Sequence, residues 1–298
     1  MTKMKNAAKR TGKKRKISAA YGFLFPFLIL FIVLVLIPVI VSFAFSFMRI
    51  GGTMEFVGLQ NYIDTFRDPL FIKSYTNVLI FMVCNIPLTI LVALVLASLL
   101  NSAHLHGRGF FKTAYYLPTV TSTVAVASVF LTFYNPTGLF NNLLMELGMN
   151  SVPWLTDPFW IRVSMTITVV WMNAGYYTVL FLAGLQSIPN DIYESAAIDG
   201  ASRIRQFFSI TIPQLKPIIM MSVVLATISG IGTFELPNIF FGSSNGPENS
   251  AITVGVNLYR TSFEQVNFGK ASAIAWTMVF VAAVLSAIQF KVGGEDDA

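Results

Sequence analysis

Five stretches of this chain carry no Asp, Glu, Lys, Arg or His: those between Lys16 and Arg49, Lys73 and His104, Arg162 and Asp191, Lys216 and Glu235, and Lys270 and Lys291. A helix needs about 20 apolar residues to cross the hydrocarbon core of a bilayer. Each stretch meets or approaches that length, and a further apolar segment lies near Tyr115–Tyr134. The pattern predicts an all-α integral membrane protein with six transmembrane helices. They are expected near Tyr21–Phe47, Asn77–Leu100, Tyr115–Tyr134, Val163–Leu185, Pro217–Ile239 and Ala271–Phe290. Composition agrees: 11% of the 298 residues are charged, against about 25% in a soluble domain.

The net charge of +6 does not indicate nucleic acid. Eight of the twenty Lys and Arg lie in the first sixteen residues, directly before an apolar run, and no aromatic residues interleave them. That is the composition of a cytoplasmic membrane flank. The first apolar run exceeds the 7–15 residues of a signal-peptide core, so it is read as a retained anchor. With the N-terminus inside, the inner segments 1–20, 101–114, 186–216 and 291–298 hold fourteen Lys and Arg. The outer segments hold six. Both termini are therefore expected in the cytoplasm. The single cysteine, Cys84, lies in an apolar run, which excludes an internal disulfide framework.

The expected organisation is a basic tail (1–20), a first helix with an outer loop (21–69), a core (70–290) and a short tail (291–298). Within the core, 186–216 is a polar island between two apolar segments and must face water. Pro189-Asn190-Asp191 reads as a helix start with an Asn or Asp cap. The helix Ile192 to Asp199 follows, with Glu194, Ala197 and Ile198 on one face. Gly200 can end it in the left-handed conformation. Ser202 can cap a second short helix carrying Arg203, Arg205, Phe207 and Phe208. Pro213 and Pro217 are expected to break the chain before the fifth span.

The sequence Glu194-Ser195-Ala196-Ala197-Ile198-Asp199-Gly200, continued to Ile210-Thr211-Ile212-Pro213, resembles the EAA loop of ATP-binding-cassette importer permeases. Ser195 and Ile212 depart mildly from that pattern. The resemblance extends to Gly107-Arg108-Gly109-Phe110-Phe111-Lys112 with Leu117-Pro118, to Gly138-Leu139-Phe140-Asn141 and to Trp154-Leu155. It also includes Gly246-Pro247, Tyr259 and Gly269-Lys270-Ala271-Ser272-Ala273. Over roughly 70–290 the chain is similar to permeases of carbohydrate importers. The resemblance implies a five-helix core plus an N-terminal helix in a bacterial inner membrane. It also implies a second homologous permease, a cytoplasmic ATPase dimer that binds ATP and Mg, and an extracytoplasmic solute-binding protein. Glu194, Ser195, Ala196, Ala197, Asp199, Gly200, Ile210 and Pro213 would form the coupling loop. The chain itself would bind no cofactor: neither Gly107–Thr113 nor Gly269-Lys270 completes a phosphate loop.

Candidates for the translocation path are Asn173, Tyr176, Glu235 and Asn238. Glu235 is placed late in the fifth span, where an acid is costly and faces a cavity or partner; the competing reading sets it at the headgroup level. Asn173, beside Trp171, Tyr176 and Tyr177, suits a sugar surface; the competing reading is a helix–helix hydrogen bond with interfacial aromatics. His104 and His106 lie at i, i+2 and cannot share a helix face, so no metal site is expected. No catalytic cluster is seen. A permease for another solute, such as glycerol phosphate, remains an alternative. An ion-coupled secondary transporter would need intramembrane charges and finds only Glu235.

Overall fold

The computed structural model describes residues 12–50, 54–102 and 105–294. Most of the basic tail, His104 and the acidic end Glu295-Asp296-Asp297 lie outside the described residues. Five helical segments are long and apolar enough to span a membrane, and a bent pair supplies a sixth. The first segment joins α1 (Gly12–Phe31) to α2 (Ile37–Phe45) through a π-turn at Ile32–Leu36. A hairpin of β1 (Met48–Ile50) and β2 (Met54–Phe56) and the short helix α3 (Gln60–Arg67) lead to α4 (Pro69–Asn101). Then come α5 (Arg108–Val120), α6 (Thr123–Phe133), α7 (Leu139–Glu146) and α8 (Pro158–Ser187). The remaining helices are α9 (Asn190–Ile198), α10 (Arg203–Gln206), α11 (Ile212–Ile231), α12 (Glu235–Phe241), α13 (Val254–Tyr259) and α14 (Phe268–Gly294).

The core lies between α4 and α8, with α5, α11 and α14 packed around them. Both central helices begin several residues before the expected positions because each opens on Asp-Pro. Asp68 accepts the Leu70 N–H at 2.9 Å, and Asp157 accepts those of Phe159 and Trp160 at 2.9 and 3.1 Å. The proline after each carboxylate needs no amide donor at the first helical position. No part of the most apolar window of the first span is buried. That span meets the body near its end, where Trp276 donates to Ser42 Oγ at 3.2 Å and stacks edge-on with Phe43.

Three expectations are corrected. The third span is not one straight helix: α5 and α6 meet at 96°. After Pro118, the Thr121 hydroxyl takes the Leu117 carbonyl at 2.8 Å, a local bond that competes with helix continuation, and Thr121 turns extended. The fifth span does not run to Ile239. It stops at Ile231, and Glu235 opens the separate helix α12. The break at Gly232-Thr233-Phe234 is clamped by α13: Thr253 Oγ1 donates to the Thr233 carbonyl at 2.5 Å, and Gly255 leaves no room for a Cβ beside it. Finally, Pro213 and Pro217 do not break the chain, which is helical from Arg203 to Ile231. A π-turn at Phe207–Thr211 re-registers the backbone just ahead of Pro213, the usual accommodation for a missing amide donor.

At the end of the bundle opposite α9, Lys270 Nζ lies 2.7 Å from Asp68 Oδ2. Partial burial pushes the Asp68 carboxyl up. The hydrogen bond from Lys270, the backbone N–H groups of Leu70 and Phe71 and the Lys270 charge outweigh it and hold the pKa below the ordinary 3.8. A depressed folded-state pKa adds stability that is complete above the unfolded value and lost as pH falls through the folded one. Thermal unfolding in detergent is therefore expected to show a fall in Tm from about pH 4 downward. Asp68→Asn should flatten that fall. An identical acid profile in the variant would mean that the pair does not contribute.

Candidate functional site

The polar island folds as an elbow. Helix α9 starts after Pro189 without a side-chain cap, so the expected Asn or Asp cap is not formed. Asn190 is already helical, and Asp191 instead places its charge in the first turn, where the helix dipole favours it. The helix ends in a Schellman motif: Gly200 N–H bonds to the Ala197 carbonyl at 3.1 Å, and Ala201 N–H to that of Ala196 at 2.9 Å. Gly200 sits at φ +80°, a conformation that glycine enters without a Cβ penalty. Ser202 then caps α10 by accepting the Arg205 N–H at 3.3 Å.

One face of α9 holds the elbow to the body. Tyr193 and Thr211 share a hydrogen bond at 2.9 Å between their hydroxyls, and Ala196 is half-buried. Much of the elbow is open. Glu194, Ser195, Ala197 and Asp199 are exposed; Ile198 is 86%, Ile204 74% and Phe208 66% exposed. Ile210 is half-buried, and Pro213 is exposed at the start of α11. Behind the elbow lies a groove of about 660 Å³ that reaches Ser98 and Asn101 of α4 and Leu185 of α8.

A second concavity, about 430 Å³, lies between α4, α8, α11 and α12. This is within the usual volume of a small-molecule site. Asn173 and Glu235 both line it; so do Asn85, Thr89, Thr123, Tyr177, Ser229 and Thr233. Glu235 is exposed and sits in the first turn of α12, where the dipole favours a negative charge. Asn173 donates to the Val169 carbonyl of its own helix at 2.9 Å, so the helix–helix bond considered for it is not formed by that amide. Tyr176 and Asn238 do not line the cavity. Tyr176 stacks edge-on against Tyr177, the tyrosine that does line it.

The description "binding-protein-dependent transport system inner membrane component" names a family whose profile matches residues 21–291. The chain belongs to that family. It is a permease component of such a transport system. The lactose transport permease LacF of Rhizobium radiobacter is 36% identical to it over 82% of this chain and 83% of LacF. The arabinooligosaccharide permease AraP of Bacillus subtilis is 33% identical over 97% of this chain and 94% of AraP. A bacterial ABC transporter that imports alginate has a subunit with a TM-score of 0.83 at 25% identity, covering 94% of this chain and 96% of that one. A bacterial alginate ABC transporter in complex with alginate pentasaccharide-bound periplasmic protein gives a TM-score of 0.81 at 25% identity, covering 92% of this chain and 93% of that one.

Several motif residues of this permease turn out to build the scaffold. Asn141 of Gly138-Leu139-Phe140-Asn141 is fully buried. It accepts the Val152 N–H at 2.9 Å and the Trp154 indole N–H at 3.1 Å. Gly269 lies where a Cβ would meet the Met48 carbonyl. Asn85, Thr89 and Thr233 escaped the sequence reading. Asn85 and Thr89 flank Pro87, the one signal that marked that stretch as other than featureless membrane helix.

Proposed function

We propose that this chain is one permease subunit of an ATP-driven importer of sugars, oligosaccharides among them, in the inner membrane of a bacterium. It pairs with a second homologous permease, a cytoplasmic ATPase dimer and an extracytoplasmic solute-binding protein. Both termini face the cytoplasm. ATP and Mg belong to the ATPase partner. The chain couples to that partner through Glu194, Ser195, Ala196, Ala197, Asp199, Gly200, Ile210 and Pro213. Asn173 and Glu235 form part of the translocation path, with Tyr177, Asn85 and Thr233; Tyr176 and Asn238 stand beside it.

The observation that carries this reading is the elbow, which is pinned by Tyr193 to Thr211 and leaves Ile198, Ile204 and Phe208 bare to the outside. Apolar side chains presented by a polar loop mark a protein contact. The sugar assignment draws on the named substrates of the relatives and on a cavity that combines amide, hydroxyl, carboxylate and aromatic groups. Such a mixture supplies both the hydrogen bonds and the apolar faces that sugars require.

Ile198 and Ile204 are exposed, so aspartate at both positions costs the fold itself little. The double variant Ile198→Asp, Ile204→Asp is expected to insert normally and to lose the ATPase on co-purification in mild detergent, with the second permease retained. Retention of the ATPase by the double variant would overturn the docking role.

A further inference from the structure

The short helix α3 has its polar residues on the wrong side for a helix packed on a protein in water. Asn61 and Thr65 are its buried residues. Leu59 at its N-cap is 62% exposed, Ile63 42% and Phe66 55%. At about 100° per residue, positions 59, 63 and 66 share one face, and 61 and 65 lie opposite. The remaining exposed flank is polar: Gln60 donates to Asp64 at 2.7 Å, and Arg67 stands in the last turn.

The buried side is fixed. Asn61 Nδ2 donates to the carbonyls of Ser46 and Met48, each at 2.9 Å. Tyr62 Oη donates to Ser46 Oγ at 2.9 Å, and Thr65 Oγ1 to the Asn61 carbonyl at 2.7 Å. The helix therefore cannot roll to hide Ile63 and Phe66. It also joins two membrane spans at the same end: α2 stops at Phe45, α4 starts at Pro69, and only the hairpin intervenes. The adjoining spans also expose apolar side chains, Phe43 on α2 and Ile72 and Leu79 on α4. On the hairpin, Met54 and Phe56 are exposed as well.

We propose that α3 is an in-plane anchor, lying in the headgroup layer at the end of the bundle opposite α9. Its three faces meet three media: Asn61 and Thr65 the protein, Leu59, Ile63 and Phe66 the acyl boundary, and Gln60, Asp64 and Arg67 water. Apolar face down and charged flank up is how an amphipathic helix rests in a membrane interface. The anchor fixes the depth at which α4 enters the bilayer, because Asp68 caps α4 directly after α3.

The test places a single nitroxide at position 63, 66, 64 or 67 in the full-length chain, with Cys84→Ala as background. Each protein is purified with whatever subunits accompany it and reconstituted in vesicles of phosphatidylethanolamine and phosphatidylglycerol. Collision rates are read with oxygen, which partitions into lipid, and with a water-soluble nickel chelate. Labels at 63 and 66 are expected to favour oxygen several-fold and labels at 64 and 67 the chelate. Equal chelate access at all four positions would overturn the proposal, since α3 would then stand in water. Shielding of 63 and 66 from both reagents would also overturn it, because a protein partner would then cover that face.

Discussion

A chain carrying Gly200→Pro is expected to reach the membrane and to import nothing above background. Gly200 sits at φ +80°, whereas proline is locked near −65°. The substitution also deletes the N–H that bonds the Ala197 carbonyl at 3.1 Å. It further drives the preceding Asp199 from its near-helical backbone (φ −74°, ψ 5°) toward an extended one. The last turn of α9 unwinds and α10 leaves in a new direction, so Glu194 and Ile204 can no longer meet one rigid partner together. A Cβ at this site meets nothing within 4 Å. Gly200→Ala therefore suffers only the left-handed backbone penalty, about 1–2 kcal/mol, and should keep partial import. Gly200→Asn, whose side chain tolerates that conformation, should stay nearer to wild type. Uptake of labelled sugar into vesicles holding the whole transporter measures all three. Wild-type uptake by the proline variant would show that the elbow angle is irrelevant to coupling.

The second large effect is expected at Gly175, in the middle of α8. A Cβ there would collide with the Tyr115 carbonyl and lie 3.1 Å from the Tyr116 Cα. These are backbone atoms of α5, so no side-chain rotation relieves the clash. The two helices are also tied by Thr119 Oγ1 donating to the Met172 carbonyl at 3.0 Å. Overpacking costs about 1–3 kcal/mol where neighbours can shift. Gly175→Ala is expected at or above that range, and Gly175→Leu should prevent recovery of a monodisperse chain. Gly184, one helical stretch further, is the internal control. A Cβ there meets only the ends of the Ile218 and Leu215 side chains, which can rotate, so Gly184→Ala should lower Tm much less. Equal losses at the two glycines would refute the close backbone approach of α5 and α8.

What was legible in the sequence follows from which physical signals are local. Absence of charge over a bilayer's width is a property of the chain itself, so the spans were visible. The Gly200 and Ser202 positions were visible because left-handed termini and hydroxyl caps are set by the residue in place. The bend at Thr121 and the stop at Ile231 were harder. The bend rests on a single residue, Thr121, turning extended after Pro118. The stop depends on α13, more than twenty residues later, pressing Gly255 against the chain at Gly232 and Thr233. The prolines misled as well: a π-turn lies just ahead of Pro213, and α11 carries Pro217 without a break. In the cavity, Asn173 and Glu235 could be picked out as polar residues in apolar surroundings. Asn85 and Thr89 on α4 reach the same wall only through the packing of α4 against α8, and no spacing rule within α4 announces that.

The link between Asp68 and Lys270 has a bearing on how the protein is made. Its two residues are 202 positions apart, and a comparable distance separates Asn77 from the carbonyls of Asn249 and Ile252 that it binds at 2.7 and 2.9 Å. While the ribosome is still producing the chain, the early spans enter the bilayer with these partners not yet synthesised. The link between Asp68 and Lys270 can close only when α14 is in place beside α3. Asn77 waits for the chain to pass Ile252, and Asp68 for it to pass Lys270. Closure of these links is thus a late event of biogenesis.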